Sequence, residues 1–586
     1  MPIYQELLTE LKNNNLTEKQ FSALKRELAL KYHEKSIPSN IQILLHASKK
    51  DGTLLKSRLL TKPVRTISGV APIALMTAPS RCPHGKCTFC PGGINSPWGD
   101  VPQSYTGHEP ATMRAMRNNY DSYLITFNRL EQYLLLGHTV DKIEFIIMGG
   151  TFPATAKEYQ EEFIYGAFKA LNDFSALFFD QEGHLKIEDF KDFFELPGEL
   201  QDQERMQRIQ EKLRQLKNKE ISPKKIPQHK IPPIPKNKIP TIPQDDNPPG
   251  SLEYEQFRNE TVQVRCVALC IETKPDWGFL EHAQEMLHQG CTRVELGIES
   301  VYDDVLQHTH RGHTAEDSKK SIQILRDLGF KINFHYMPGL PLTSRERDIA
   351  GMRNLFADPD YRPDMIKLYP TMVAPGTALY QQWQQGKFTP ISTEEAALRV
   401  VEFKKLCPEY CRIQRIQRDV PTKYWAAGVD RTNFRQFLHQ NYQFCCRCIR
   451  CREPKGKKVN WNKIEIKVTE YEASQGKEFF IAAEVQEQDL LIGFCRLRFP
   501  SQYLRPEIVP GSALIRELHV YGTATAIGEE GVVQHRGWGR KLMEKAEKIA
   551  REQGKKKIVV ISGVGAKEYY RKLGYGKEGA YMVKII

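Results

Sequence analysis

Apolar positions along the chain gather into short runs separated by amphipathic stretches. Residues 71–78, 143–148, 264–271, 293–298, 331–337 and 364–369 are apolar-rich segments of strand length, the pattern of strands buried on both faces. Stretches between them, such as 315–328, place apolar residues at helical spacing. Repeated strand–helix units predict a parallel sheet or partial (β/α) barrel over 66–403. Residues 1–65 read as a small helical region with a basic end (Lys49, Lys50, Lys56, Arg58, Lys62, Arg65). From 461 to 586 several strands precede one clear helix, 537–553, and a final strand pair, which predicts a compact α+β domain. The fold class expected is α/β multidomain.

Two segments break this pattern. Residues 181–250 read as an insertion. A charged helix at 199–220 carries Met206, Ile209, Leu213 and Leu216 near heptad spacing, and Ile-Pro then recurs at 226, 231, 234, 239 and 242. Proline fixes φ and removes backbone donors, so the proline-rich part is expected to be extended or disordered, and 181–250 as a whole is expected to be a solvated spacer rather than a partner-binding arm. Residues 404–460 are Cys- and Arg-rich and irregular, a candidate metal-binding linker.

With 586 residues the chain has length for several cores, and no apolar run reaches the ~18 residues that span a bilayer. The N-terminus mixes Glu6, Glu10 and Lys12 among leucines and does not read as a signal peptide, so a cytoplasmic location without membrane partners is expected. The formal net charge of +13 suits an anionic partner, RNA foremost, though a basic soluble protein has the same balance. Thirteen cysteines form two tight clusters and six scattered residues (Cys266, Cys270, Cys291, Cys407, Cys411, Cys495), which argues for metal ligands rather than disulfides.

The first cluster is Cys82, Cys87 and Cys90, directly after an expected strand. Three thiolates hold three irons of a 4Fe–4S cluster and leave the fourth iron open to a ligand; a structural zinc site is the alternative. Gly149 and Gly150 follow a second strand, where glycines let a backbone approach a ligand or simply make a tight turn. The second cluster is Cys445, Cys446, Cys448 and Cys451; its thiolates at 446, 448 and 451 suit tetrahedral zinc, with Cys445, Cys411, Cys407 or a histidine as fourth ligand and free thiols as the alternative. At the far end, Gln534-His535-Arg536-Gly537-Trp538-Gly539 opens the last long helix in the pattern Q/R-x-x-G-x-G, whose backbone N–H groups suit a pyrophosphate.

Residues 82–93, 104–110, 113–117, 140–152, 271–276, 294–301, 311–314, 345–348, 366–371 and 417–421 resemble the radical S-adenosylmethionine (SAM) domain of the Elongator catalytic-subunit family, tRNA carboxymethyluridine synthases. Residues 514–520, 534–539 and 569–575 resemble GCN5-related N-acetyltransferases (GNAT). Departures include a four-residue first cysteine gap, Lys274 for the more common Arg, Glu299 for Gln, and Gly339 for Asp. The resemblance implies a TIM-like radical SAM partial barrel followed by a GNAT-type domain. It implies catalytic roles for Cys82, Cys87, Cys90 and Tyr569. Cofactor binding falls to Lys142, Gly149, Gly150, Glu517, Leu518, His519, Val520, Val533, Gln534, His535, Gly537, Gly539 and Tyr569. The implied cofactors are a 4Fe–4S cluster, SAM and acetyl-CoA, with zinc at Cys446, Cys448 and Cys451. The implied reaction converts a tRNA wobble uridine to 5-carboxymethyluridine. Arg412, Arg415, Arg418, Arg447, Arg450, Arg452, Lys455, Lys457 and Lys458 would hold an anticodon stem-loop, and partner proteins or a homodimer are implied. Alternatives are protein lysine acetylation by 464–586 alone, or a non-catalytic scaffold subunit.

Overall fold

A computed structural model describes residues 2–34, 37–48, 51, 55, 58–59, 66, 69–198, 202–218, 248–455, 457–521 and 537–586. The chain divides into two compact units, one of residues 1–73, 123–143 and 165–265, the other of 74–122, 144–164 and 266–586.

The strands expected from the apolar runs form one seven-stranded sheet in sequential order: β1 (Ala71–Met76), β2 (Lys142–Met148), β3 (Arg265–Thr273), β4 (Arg293–Glu299), β5 (Lys331–Tyr336), β6 (Met365–Leu368) and β7 (Arg412–Arg415). Pairing from β3 to β7 is parallel throughout. Sequential parallel order with intervening helices gives a partial (β/α) barrel, whose ligands sit at the carboxyl ends of the strands.

In the first unit, helices Pro2–Asn13, Glu18–Lys31 and Asn40–Leu45 pack around Ile3, Leu7, Leu8, Leu11, Phe21, Leu28 and Ile43. Capping boxes at Thr17/Gln20 and Ser39/Gln42 start the last two. Arg58 lies within this region, whereas Lys49, Lys50, Lys56, Lys62 and Arg65 are outside the described residues. The expected insertion differs from a spacer in its first half. Helices Ile187–Phe193 and Gln203–Lys217 bury Phe190, Phe194, Ile209 and Leu213. Phe174, Phe178, Phe190, Phe193 and Phe194 stack edge to face or tilted. Buried Arg205 bonds Glu131 at 2.7 Å and the Phe194 carbonyl. Aromatic burial outweighs the local polarity that suggested a solvated segment. The Ile-Pro repeats at 226–243 lie outside the described residues.

In the second unit, the C-terminal sheet runs β8 (Glu465–Ala473), β9 (Gly476–Val485), β10 (Leu490–Phe499), β11 (Ser512–Val520), β12 (Lys557–Val560), β14 (Tyr581–Ile585), β13 (Gly576–Glu578). Helix Trp538–Glu552 covers it through Leu542, Met543, Ala546 and Ala550. The same unit joins this sheet to the barrel through buried charge: Arg516 grips Asp364 at 2.8 and 2.7 Å, Arg498 bonds Asp327 at 2.8 Å, and Arg326 faces Glu478 at 3.6 Å. Among the described residues no helix is long and apolar enough to cross a membrane.

Candidate active site

The loop after β1 carries Cys82, Cys87 and Cys90, the last two buried. Backbone bonds Gly85 N–Cys82 O and Cys90 N–Cys87 O curl it, with Gly85 at φ +91°. It is anchored by Thr88, whose N–H donates to Thr309 O and whose carbonyl accepts from Leu379 N, and by Gln103, which accepts from Cys82 N at 2.8 Å. Each sulfur has a polar neighbour: Thr151 Oγ1 at 3.5 Å from Cys82, His84 Nε2 at 3.2 Å and Arg311 Nη1 at 3.4 Å from Cys87, and Ser104 N–H at 3.1 Å from Cys90. Burial and the adjacent Cys87 thiol push Cys90 up to about 11, and burial raises Cys82. Cys82 and Cys90 are therefore held as thiols without metal, and a metal must displace those two protons.

The surroundings fit a 4Fe–4S cluster. Gly150, at φ +86°, leaves a Cβ position 3.6 Å from Cys82 Sγ. Buried Arg311 Nε, both ring nitrogens of His313 and Glu299 Oε2 lack hydrogen-bond partners, the mark of a site shaped for something further. Burial, with Arg311 and Lys274 alongside, drives His313 down to about 2 and weights the pocket toward anions. At Gly149, φ is +129° and a Cβ would clash with Thr77 Oγ1. Gly149→Ala is expected to cost about 1–3 kcal/mol of strain and to weaken SAM binding, read by thermal midpoint and by isothermal titration with SAM.

Inside the barrel the strands carry a charged row that apolar patterning did not reveal. Glu272 pairs with Glu295 across β3 and β4, and His335 pairs with Lys367 across β5 and β6. Lys367 Nζ bonds Glu272 at 3.2 Å and also Glu295; His335 Nε2 lies 2.9 Å from Glu295 Oε2; Tyr105 OH donates to Glu272 at 2.8 Å. Barrel interiors are ordinarily packed with branched apolar side chains. The two carboxylates and His335 lie close enough to hold an ion, but the Lys367 ammonium already fills the cationic place between the carboxylates.

In the C-terminal domain, β11 pairs with β12 only over Ser512–Ile515. A register shift falls between Ile515 and Glu517 on its β10 side, and among the described residues the β12-facing edge of Glu517, Leu518, His519 and Val520 has no strand partner. The Glu517 side chain is turned to Arg496 (2.9 Å) and Lys331 (3.5 Å). Burial pushes Glu517 up, but these two cations hold it down to about 2; burial lowers His519 to about 4. Gly537, at φ +76°, caps helix Trp538–Glu552. A Cβ on Gly539 would stand 2.6 Å from Tyr569 OH and 3.9 Å from Leu518, so the helix start, Tyr569 and β11 converge. Val533, Gln534 and His535 lie outside the described residues. Lys142 opens β2, half-buried beside Asp141, with burial lowering its ammonium.

Cys446, Cys448 and Cys451 place their sulfurs within 4.8 Å of one another. Cys407 and Cys411 adjoin them, and Cys445 is exposed. The basic residues nearby do not form one surface. Arg452 is 1% exposed and paired with Glu484, Arg412 is tied to Glu453, and Arg418 donates to Ser104 O. Their aliphatic stems and nearby carboxylates made burial possible where sequence suggested a solvated patch. Arg447, Lys455, Lys457 and Lys458 are exposed.

Four family descriptions match in chain order: the ELP3 N-terminal domain at residues 2–67, the Radical SAM superfamily at 244–351, the Radical_SAM C-terminal domain at 363–443, and the Acetyltransferase (GNAT) family at 438–575. The tRNA uridine(34) acetyltransferase of Methanocaldococcus jannaschii is 40% identical, over 100% of this chain and 97% of that protein. Elongator complex protein 3 of Homo sapiens is 36% identical, over 96% of this chain and 92% of its own length. The structure of archaeal Methanocaldococcus infernus Elp3 with an N-terminal deletion (1–46) superposes with a TM-score of 0.68 at 36% identity, covering 89% of this chain and 100% of that one. With a three-thiol loop on a parallel partial barrel, a GNAT domain after it and such similarity end to end, this chain belongs to the Elp3 family.

Proposed function

We propose that this protein is a radical SAM tRNA uridine(34) acetyltransferase that forms 5-carboxymethyluridine from acetyl-CoA. The observation that carries the reading is that one compact unit holds both the three-thiol loop and the glycine-started helix beside an open strand edge. When bound to Cys82, Cys87 and Cys90, a 4Fe–4S cluster supplies the electron that cleaves SAM. The chain's own residues do the rest. Gly149 and Gly150 bring bare backbone to the end of β2, where a SAM amino acid moiety binds. Buried Arg311 and Lys274 keep this pocket positive toward a carboxylate. The free edge of Glu517–Val520 pairs with the amides of a pantetheine arm, while Gly537, Gly539 and the helix N-terminus receive the pyrophosphate, with Tyr569 OH at the same place. The acetyl methyl carbon is joined to C5 of an unpaired wobble base, which an anticodon loop presents without unstacking a duplex. Exposed Arg447, Lys457 and Lys458 meet tRNA phosphates.

The reading is tested by mass spectrometry of nucleosides after anaerobic incubation with tRNA. 5-Carboxymethyluridine should require SAM, acetyl-CoA and reductant together. Lysine acetylation that survives Cys87→Ala, with no uridine product from the intact protein, would reassign the chain as a protein acetyltransferase.

Zinc is proposed at Cys446, Cys448 and Cys451, with Cys407 or Cys411 completing four sulfurs. Cys448→Ser should then lower bound zinc from about one per chain to well below half and reduce the thermal midpoint, with iron at Cys82, Cys87 and Cys90 retained; equal zinc in both proteins would remove the site.

A further inference from the structure

The charged row inside the barrel contains a carboxylate–imidazole pair that SAM cleavage and carbon–carbon coupling do not use. Glu295 is fully buried, and its Oε2 meets His335 Nε2 at 2.9 Å. A carboxylate accepts hydrogen bonds, so Nε2 carries the proton and Nδ1 keeps its lone pair in the neutral ring. Among the described residues the ring's hydrogen bond is made through Nε2, and the side chain keeps 15% exposure, which leaves Nδ1 for a further partner. Glu295 is fixed on its other sides by Lys367 and by Arg293 Nη2 at 3.1 Å. Although burial pushes its carboxyl up, Lys367 holds it well below the usual carboxylate range. Burying such a set contributes little to stability compared with an apolar core of equal volume, so its presence in a barrel lumen calls for a chemical use.

We propose that His335, oriented by Glu295, is the general base that activates water to hydrolyse the thioester, converting the uridine-bound acyl-CoA into free carboxymethyluridine. This rests on the reading of the chain as a carboxymethyluridine-forming enzyme. In that reaction the carbon joined to uracil C5 and the thioester carbonyl carbon are neighbours, so the carbonyl lies in the chamber where coupling occurs. Nδ1 takes a proton from water as the water oxygen bonds to the carbonyl carbon. On collapse the C–S bond breaks, its electron pair leaves with sulfur, and the imidazolium returns the proton to the thiolate. No electrons are gained or lost. The pair repeats the carboxylate–histidine logic of hydrolases on an unrelated scaffold.

The test uses the full-length protein with its cluster reconstituted, tRNA, SAM, acetyl-CoA and reductant. His335→Gln should still generate 5′-deoxyadenosine, release free 5-carboxymethyluridine at least about 100-fold more slowly, and accumulate a CoA-bearing uridine on tRNA. His335→Ala should regain release when imidazole is added. Free product at the wild-type rate from His335→Gln overturns the proposal. So does loss of 5′-deoxyadenosine in both variants without imidazole rescue, which would make His335 a binding or folding residue. A wild-type protein that forms no carbon–carbon product overturns the underlying reading, and this step with it; a wild type that does, beside an undiminished variant, overturns this step alone.

Discussion

Cys87→Ala is expected to eliminate 5-carboxymethyluridine formation and most bound iron while leaving the fold intact. Three thiols are the least that hold a 4Fe–4S cluster with one open iron, and this loop offers three. Cys87 is the sulfur that both His84 and Arg311 approach, at 3.2 and 3.4 Å, so its loss also removes a hydrogen-bond partner of buried Arg311. The fold should survive because the loop is held elsewhere, by Thr88, Gln103 and the packing of Phe89 against Val305, Leu340 and Leu379. Iron per chain measured after anaerobic reconstitution should fall by about tenfold or more, with a thermal midpoint close to that of the parent. The control is Cys445→Ser: this cysteine is exposed and its replacement should leave the iron count alone. Full iron retention by Cys87→Ala would place the cluster elsewhere.

The largest loss of stability is expected from Asp364→Ala. Its carboxylate is fully buried and accepts from both terminal nitrogens of Arg516, faces Arg496 at 3.4 Å, and accepts from Ile332 N–H at 2.9 Å. Alanine leaves Arg516 and Arg496 charged and buried without this carboxylate. Removing one member of a buried pair costs about 3–5 kcal/mol, more than most single core truncations of similar size. Because Asp364 directly precedes β6 while Arg516 belongs to β11, the barrel and the C-terminal sheet should loosen together, seen as a lower thermal midpoint and faster proteolysis of both. Asp364→Asn keeps hydrogen-bonding atoms without charge and should fall between. The pH dependence has a definite sign. Burial pushes the Asp364 carboxyl up, but Arg516 and Arg496 hold it far below its unfolded value of about 3.9. This stabilisation is therefore complete above pH ~4 and is lost as the pH falls further. Equal acid stability of the parent and Asp364→Asn would contradict it.

Much of this architecture is legible in the order of apolar runs. Six barrel strands lie within two residues of their expected limits, as with 143–148 against Lys142–Met148 and 331–337 against Lys331–Tyr336. The seventh, Arg412–Arg415, is invisible to hydrophobic patterning, since three of its four residues are polar. The cluster loop and the glycine-started helix are readable because their chemistry demands particular residues at short spacing. The lumen row is not, because every residue of β4 is buried, and such strands show no alternation that says which side faces the lumen. Glu272, Glu295, His335 and Lys367 are also spread over nearly a hundred positions and meet only through the sheet register. The helix at 203–217 falls within the charged stretch 199–220 that predicts it, whereas the short helix at 187–193 is not singled out. The basic linker misled for a related reason: composition reports the charge of Arg452 but not the Glu484 that neutralises it.

The most direct test of the whole account is isotopic. The reconstituted protein would be incubated without oxygen with tRNA, SAM, reductant and acetyl-CoA deuterated at its methyl group. Deuterium should appear in 5′-deoxyadenosine and, through the remaining methylene, in 5-carboxymethyluridine at the wobble position. Labelled acetyl groups on protein lysines, with unlabelled 5′-deoxyadenosine and unmodified uridine, would contradict it.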